Sequence, residues 1–248
     1  MRNLLLPILL TACGTSAELS DTVQVDPQPL LDTFSAVQLE PLVGLVEQPA
    51  AVIGGQLDCP VVTTIAAGND VTHERWEGGC TLADGSVVLG EFERFDGPNA
   101  AWIAGRDFRI EQDGELRFGL DGAIEITPTD SLWLVDAAVA MCGTQTWPCS
   151  EGVLGLDLAY TIYPAASFPL DYDTTVSGMI STESNTTTLD GAWSFDEALC
   201  PIEPTVGMLS IHGGGHHAMT LDGALACDGC AGVQVQGLAA PVLCGLNP

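Results

Sequence analysis

The chain has 248 residues and a formal net charge of -27, from 33 Asp and Glu against six arginines and no lysine. This charge leaves no electrostatic footprint for nucleic acid and no attraction to anionic lipid headgroups, so a nucleic-acid partner is not expected. The missing lysine excludes P-loop and Schiff-base enzymes in their usual form, because each needs that amine. Hydrophobic residues make up 46% of the chain, which is too many for a disordered protein.

Residues 1–12 have the pattern of a secretory signal peptide, with Arg2 near the start and an apolar run from Leu4 to Leu10. The run is too short to span a bilayer, which needs about 20 apolar residues. The segment Leu10-Thr11-Ala12-Cys13 resembles the bacterial lipobox. The resemblance implies cleavage before Cys13 and a lipid on Cys13 that holds the protein to a membrane. An ordinary signal peptide with an incidental cysteine is the alternative.

The residue after the lipid cysteine bears on localisation. In lipobox proteins an Asp at this position implies retention at the inner membrane, whereas this chain has Gly14. The expected localisation is therefore the bacterial cell envelope at the outer membrane, with the periplasmic or surface face left open.

The chain after Cys13 begins with a polar, acidic segment. Residues 13–35 predict a lipidated flexible tether. Apolar residues between Leu30 and Val46 are loosely spaced as in a helix, but Pro41 interrupts them, so one short helix or none is expected there. The folded domain is expected to cover residues 36–248.

Beyond residue 57, short runs rich in Val, Ile, Thr, Phe and Trp alternate with turn residues, and no helical period follows residue 50. The runs include 60–66, 86–95, 100–110, 123–127, 131–141, 153–163 and 219–226. Turns are expected at the Asp-Gly pairs that begin at Asp84, Asp96, Asp113, Asp121, Asp190, Asp222 and Asp228. This pattern predicts an all-β fold, a large antiparallel meander of hairpins forming a curled sheet, a sandwich or a half-barrel.

A weak internal repeat accompanies the strand pattern. Cys59-Pro60 and Cys200-Pro201 are each followed, some twenty to thirty residues later, by a cysteine just before an Asp-Gly pair. Two related β modules that meet near 142–150 are possible, and repeated turn chemistry without common ancestry is the alternative. One continuous sheet is preferred, because no long linker separates the halves.

Eight cysteines remain once the lipid cysteine is set aside, an even number in an exported chain, so four disulfides are expected. Local order and the repeat suggest the pairs Cys59–Cys80, Cys142–Cys149, Cys200–Cys227 and Cys230–Cys244. The Cys227-Asp228-Gly229-Cys230 motif could also indicate a redox or zinc site, but the βαβ setting of a redox motif is missing.

Histidines cluster in one hairpin-like segment. His212 and His216 flank a triglycine turn and are expected to face each other on one side of a hairpin, with His217 pointing to the other. The three are candidate metal ligands, although no metal or other cofactor is the expectation. Weak association of divalent cations with the acidic surface is expected as a counterion effect.

Signals for catalysis are weak. The sequence contains no G-x-S-x-G and no H-E-x-x-H motif, and 33 acidic residues produce carboxylate pairs by chance. The five tryptophans are expected mainly in the core. Trp147 is the exception, because it lies in the small Cys142–Cys149 loop and is a candidate ligand contact.

Past the lipobox, the chain looks like uncharacterised, disulfide-stapled, β-rich lipoproteins of the bacterial envelope. The resemblance rests on the Cys-Pro starts, Gly78-Gly79-Cys80 with the Asp84-Gly85 pair after it, and Cys227-Asp228-Gly229-Cys230. It implies no known activity. We therefore expect a lipid-anchored protein with a non-enzymatic structural or ligand-binding role. The alternatives are a hydrolase that uses an acid pair and a metal-handling protein that uses the histidine cluster.

Overall fold

A single antiparallel sheet dominates the structure, which is a computed structural model. It describes residues 33–47 except 35 and 38, and residues 59–244 except 69, 145–146, 166–170, 184, 201–203, 214–215 and 222–226. One helix is α1 (Leu39–Glu47). The strands are β1 (Val61–Gly68), β2 (Val71–Glu77), β3 (Cys80–Thr81), β4 (Val87–Gly97), β5 (Ala100–Gln112), β6 (Glu115–Pro128), β7 (Trp133–Cys142), β8 (Leu154–Pro164), β9 (Asp171–Ser181), β10 (Thr186–Asp196), β11 (Val206–His212), β12 (His216–Leu221), β13 (Cys230–Val235) and β14 (Leu238–Cys244).

The sheet is a meander in which each strand pairs with its neighbours along the chain. The order is β1-β2-β4-β5 and then onward strand by strand to β14, while the short β3 pairs with β4 beside this path. Among the described strands, β1 and β14 form two open edges, and β1 is exposed on both faces. The predicted all-β fold is confirmed, and the sheet is neither a sandwich nor closed on itself.

The two faces of the sheet differ sharply in burial. Strands alternate between buried and accessible side chains, as a period of two residues requires. The inner face carries buried residues such as Phe92, Ile124, Leu158 and Met219 on strands from β4 to β12. The outer face is more accessible, and it mixes polar residues with exposed apolar side chains such as Leu134, Met179 and Met208.

Burial across so many strands requires a curled sheet. Thirteen strands at about 4.8 Å each would make a flat sheet roughly 60 Å wide, whereas a helix about 10 Å across covers only two or three strands. Nevertheless, inner-face side chains from Trp76 on β2 to Val233 on β13 are almost fully buried in one apolar cluster. The sheet therefore bends until its inner face covers itself and the chain segment packed inside it.

The segment packed inside is formed by residues 33–47. Val37 and the helix residues Leu42 and Leu45 are buried in the same apolar cluster as the strands. The Tyr160 hydroxyl, fully buried on β8, donates a hydrogen bond to the Val37 carbonyl at 3.1 Å. Phe34 is 2% exposed and its ring lies 6.3 Å from that of Trp193. The packed chain thus reaches residue 34, two residues before the predicted domain start.

Helix α1 runs through Pro41, which the sequence pattern suggests as an interruption. Pro41 is the third helical residue, and backbone N–H groups of a first turn have no intrahelical acceptor, so proline removes no hydrogen bond there. Within the described part of the chain after residue 50, helical structure is limited to one 3₁₀ turn, Cys149–Glu151. None of the helices in the described residues has the length and apolar character needed to cross a membrane.

Three of the described Asp-Gly pairs do not form turns. Asp84 and Asp113 lie in turns as expected, but Asp96 and Gly97 are the last two residues of β4, and Asp121 and Asp190 lie in the middle of β6 and β10. Gly122 has φ +109°, and a Cβ there would lie 2.2 Å from the Ala138 carbonyl oxygen on β7. The glycine therefore serves a close approach of two strand backbones and not a reversal of the chain. Asp222 lies outside the described residues.

Disulfide bonding is confirmed, with the four pairs suggested by local order. Bridges join Cys59–Cys80, Cys142–Cys149, Cys200–Cys227 and Cys230–Cys244. The first encloses the β1–β2 hairpin and the third encloses the β11–β12 hairpin, so both Cys-Pro starts precede a disulfide-closed hairpin. Strands β7 and β8 pair directly across residues 142–150, so the sheet is continuous at the suggested midpoint.

Candidate functional site

A pocket of about 340 Å³ opens at one end of the inner face. It is lined by Val46 of α1, Arg94, Asp96 and Gly97 of β4, Ala101 of β5, Ile126 and Pro128 of β6, and Trp133 of β7. Strand register explains why residues so far apart in sequence meet here. Asp96 lies opposite Ala101, Ala101 opposite Ile126, and Pro128 opposite Trp133. The four strands therefore supply one wall, and the last turn of α1 supplies the other.

The wall of the pocket is mainly apolar. Ile126 is buried at its base, and the side chains of Val46, Pro128 and Trp133 surround it. The Trp133 indole adds a flat aromatic surface, which can pack against an apolar body or attract a cation through its ring face.

One end of the pocket is charged. Arg94 Nη2 lies 3.2 Å from Asp96 Oδ2, and the two residues share the inner face because they are two positions apart on β4. The Asp96 side chain is 54% exposed, whereas that of Arg94 is 20% exposed. Glu74 on β2 lies directly opposite Arg94 in the register. Arg94 is therefore flanked by two carboxylates, and Asp96 is the more accessible partner of the ion pair.

Arg94 is unusual among the arginines in the described residues, because the other four lie on the outer face. Arg75 precedes the buried Trp76, Arg109 lies between two buried residues, Arg117 precedes the buried Phe118, and Arg106 pairs with Glu91. Alternation along the strands places Arg75, Arg109 and Arg117 outside. Arg106 is outside because it lies opposite Glu91, which precedes the buried Phe92. The inner face thus presents a single arginine, and it is at the pocket.

The four outer arginines form ion pairs. Arg75 and Arg106 pair with glutamates on β4, whereas Arg109 and Arg117 pair with acids on their own strands. Arg75 Nε donates to Glu93 Oε1 at 2.7 Å, and His73 Nε2 lies 3.6 Å from the same carboxylate. Partial burial by itself raises the pKa of Glu93, but Arg75 and His73 outweigh it and hold the pKa below its ordinary value of 4.5. Each of the four outer arginines is therefore paired with a carboxylate of the protein itself.

The histidine candidates are only partly brought together. His212 and His216 lie opposite each other, with ring centroids 4.8 Å apart, and His212 Nε2 lies 3.2 Å from Asp190 Oδ1. His217 is opposite Ile211 on the other face of the hairpin, as expected. Across the described residues, no group of three or more His, Cys, Asp or Glu is arranged to hold a metal ion.

Trp147, the candidate ligand contact, is not exposed. Its side chain is 7% exposed and belongs to the main apolar cluster. Its indole Nε1–H donates to the Gly152 carbonyl at 3.1 Å, and its backbone N–H donates to Thr144 Oγ1. The short disulfide loop folds this tryptophan inward, so it cannot serve as a surface contact. Cys13, the lipidation candidate, lies outside the described residues.

Sequence reasoning missed the pocket residues Arg94, Asp96 and Trp133. A signal for Arg94 was present in Phe92-Glu93-Arg94, because strand alternation gives Arg94 the face of the apolar Phe92 and not that of the acids. Convergence with Trp133 depends on the register of four strands, which no local pattern indicates.

The chain matches no protein-family model, no curated protein and no solved structure.

Proposed function

We propose that this protein is a non-enzymatic lipoprotein of the bacterial envelope that binds a small, mainly apolar molecule with one polar end. The observation that carries the proposal is the pocket between α1 and strands β4 to β7, where an apolar wall ends at the Arg94–Asp96 ion pair.

Size and composition both suit a small-molecule site. Ligand pockets in proteins are typically about 300–1,000 Å³, mostly apolar, with a few polar groups that orient the ligand. A pocket of about 340 Å³ is at the lower end of that range. It accommodates a small molecule with up to three aromatic rings or a short alkyl chain.

A binding role fits the pocket better than a hydrolytic one. Hydrolysis by an acid pair needs two carboxylates on either side of the scissile bond. Among the described residues that line the pocket, Asp96 supplies the one carboxylate, and its partner is an arginine. A metal-handling role has less support, because the described histidines and acids form no group of three.

The lipid anchor is the second part of the proposal, and the motif Leu10-Thr11-Ala12-Cys13 supports it. Twenty positions separate Cys13 from Thr33, and a chain of that length spans at most about 70 Å. We expect the mature chain to begin at a lipid-modified Cys13, with intact-mass spectrometry as the check. A Cys13→Ser chain should lack the lipid mass, and an unmodified wild-type Cys13 would refute the anchor.

A neutral fluorescent probe tests binding at the pocket. We expect N-phenyl-1-naphthylamine to gain fluorescence on binding the mature protein, with a single saturable site. Ala101→Phe should weaken binding at least tenfold, because the larger side chain fills the pocket that Ala101 lines. Ala104→Phe is the matched control, since Ala104 lies on the outer face of the same strand opposite Glu93.

Thermal unfolding of both variants separates loss of the pocket from loss of the fold. Equal binding by Ala101→Phe and Ala104→Phe, with both variants folded, would show that the probe binds elsewhere and would refute the proposed site.

A further inference from the structure

We infer that the ligand of the pocket carries a positive charge: a small amphiphilic amine whose ammonium group is bound by Asp96 and whose apolar body lies against Trp133 and Ile126. This inference rests on the proposed binding function and adds the chemical class of the ligand.

The positive charge at the polar end of the pocket is already compensated by the protein. Arg94 already faces two carboxylates, Asp96 on its own strand at 3.2 Å and Glu74 directly opposite on β2. A ligand anion would have to compete with both for the guanidinium group. Asp96, by contrast, lines the pocket and its side chain is 54% exposed, so an incoming cation can reach its carboxylate.

The aromatic wall of the pocket lies away from its polar end. Trp133 lines the pocket on the strand two removed from Ala101, which lies opposite Asp96. Three strand spacings of about 4.8 Å separate β4 from β7, so the indole lies where the apolar body of a ligand held at Asp96 can pack, and not beside its head group. A carboxylate at one end and an indole at the other suit an amine with an apolar body, whereas the carboxylate would repel an anionic head group.

The electrostatic potential of the whole chain also favours a cation. The net charge is -27, and residues 118–248 contain fifteen acidic residues with no arginine or lysine. A cleft with low-dielectric walls concentrates the potential of the surrounding charges, so it raises the local concentration of a cation and lowers that of an anion. Among the described residues, Arg94 is the one arginine on the inner face, and its carboxylate partners compensate its charge.

Three probes with the same body test the charge of the ligand. 4-Phenylbutylamine, 4-phenylbutanol and 4-phenylbutanoate differ only in their head group, which is cationic, neutral or anionic at pH 7. We expect the amine to bind about two- to fivefold more tightly than the alcohol, the range of a partly exposed ion pair, and the carboxylate to bind most weakly. Displacement of N-phenyl-1-naphthylamine gives the three affinities.

Two variants identify the group responsible. Asp96→Asn should remove the advantage of the amine and leave the affinity for the alcohol unchanged. Asp136→Asn removes the same charge from an exposed position on the outer face of β7, and it should keep the advantage of the amine. Three results would overturn the inference. The carboxylate could bind more tightly than the amine, the three probes could bind with equal affinity, or none of them could bind while the naphthylamine still binds.

Persistence of the preference for the amine in Asp96→Asn would also overturn it, because the preference would then come from diffuse charge. If the wild-type protein does not bind N-phenyl-1-naphthylamine at all, the proposed binding function itself is wrong, and the inference that rests on it is wrong as well.

Discussion

At the scale of single residues, backbone contacts between curled strands constrain particular positions more than the composition suggests. Gly122 combines a positive φ with a backbone so close to β7 that no side chain fits. Gly68 has a similar φ, +117°, but a Cβ there meets nothing within 4 Å. The two positions therefore separate the cost of strained φ from the cost of a clash.

Replacing Gly122 with alanine should destabilise the protein by about 2–4 kcal/mol, from strain at positive φ plus overpacking against β7. Gly68→Ala should cost about 1–2 kcal/mol, because it has the strain alone. Urea denaturation of both variants measures the difference. Equal losses would mean that the sheet relaxes around the added methyl group.

Tyr160 is a second constrained residue. Burial, with a smaller contribution from Tyr172, raises the pKa of the Tyr160 phenol far above its ordinary value of 10.0. In the unfolded chain this phenol ionises near pH 10, whereas in the folded chain it stays protonated. Its contribution to stability is therefore complete below pH 10 and is lost as the pH rises above 10, by about 1.4 kcal/mol per pH unit.

Tyr160→Phe should lower the free energy of unfolding by about 1–2 kcal/mol at pH 8, because the Val37 carbonyl loses its donor. Between pH 9 and pH 11 the variant should lose less further stability than the wild type. Tyr163→Phe is the control, since Tyr163 is 49% exposed. A Tyr160→Phe variant whose stability falls in parallel with the wild type over this pH range would contradict the burial of the phenol.

At the scale of elements, α1 and the residues before it pack against the inner face of the curled sheet and form part of its core. The helix has only nine residues, and isolated helices shorter than about 12–15 residues are marginal in water. Its stability therefore comes from packing against the inner face, and through Val46 it also forms part of the pocket. Loss of this segment would open both the core and the site.

Two adjacent positions in α1 should change stability in opposite directions. Leu45 is 1% exposed, so Leu45→Ala should cost about 2–5 kcal/mol through a cavity in the core. A Cβ added at Gly44 meets nothing within 4 Å, so Gly44→Ala should stabilise the helix by up to about 1 kcal/mol. Thermal unfolding checks both signs. A neutral Leu45→Ala substitution would show that α1 does not pack in the sheet.

Some elements follow from the sequence and others do not. β-branched and aromatic runs between turn residues predict β4, β5, β7 and β8. The inner face of β7 and β8 is apolar at nearly every second position, and that of β4 begins with Val88 and Phe92. Strands β9 and β10 are not among the predicted runs, since Thr, Ser and Asp dominate their outer face. The turns predicted at Asp121 and Asp190 are wrong, because a glycine after Asp also suits a position where two strand backbones approach closely.

The pocket and the inner segment could not be predicted from local patterns. Val46 and Trp133 are 87 positions apart in the chain and meet only after the sheet curls around α1. The disulfide pairs, in contrast, could be predicted from the sequence because they are local. Each joins cysteines 7 to 27 residues apart, so chain order alone indicates the pairs.

At the scale of the whole molecule, charge repulsion opposes folding. The described arginines all lie on β2 and β4 to β6, whereas strands from β7 onward carry acids with histidine as the only basic residue. Glu125 and Asp136 even lie directly opposite each other on the outer face. Surface ion pairs offset little of this repulsion, at about 0–1 kcal/mol each.

Added salt should therefore stabilise the protein. Raising NaCl from 10 to 150 mM shortens the screening length from about 30 Å to about 8 Å, and we expect the melting temperature to rise. Asp136→Asn should raise the melting temperature at low salt, by about 0.2–1 kcal/mol of stability, and should reduce the gain from salt. Glu93→Gln should lower it instead, because Glu93 is paired with Arg75. A melting temperature that is independent of salt would contradict this account.

The pairing of neighbours has a consequence for how the protein matures. Every disulfide in the described residues joins a cysteine to the next one along the chain, and the strands between Cys59 and Cys244 pair in the same consecutive manner. A chain that emerges with its N-terminus first therefore presents each cysteine pair before the following pair emerges. Simple oxidation in order of emergence then gives the native bridges, without the reshuffling that interleaved disulfides require.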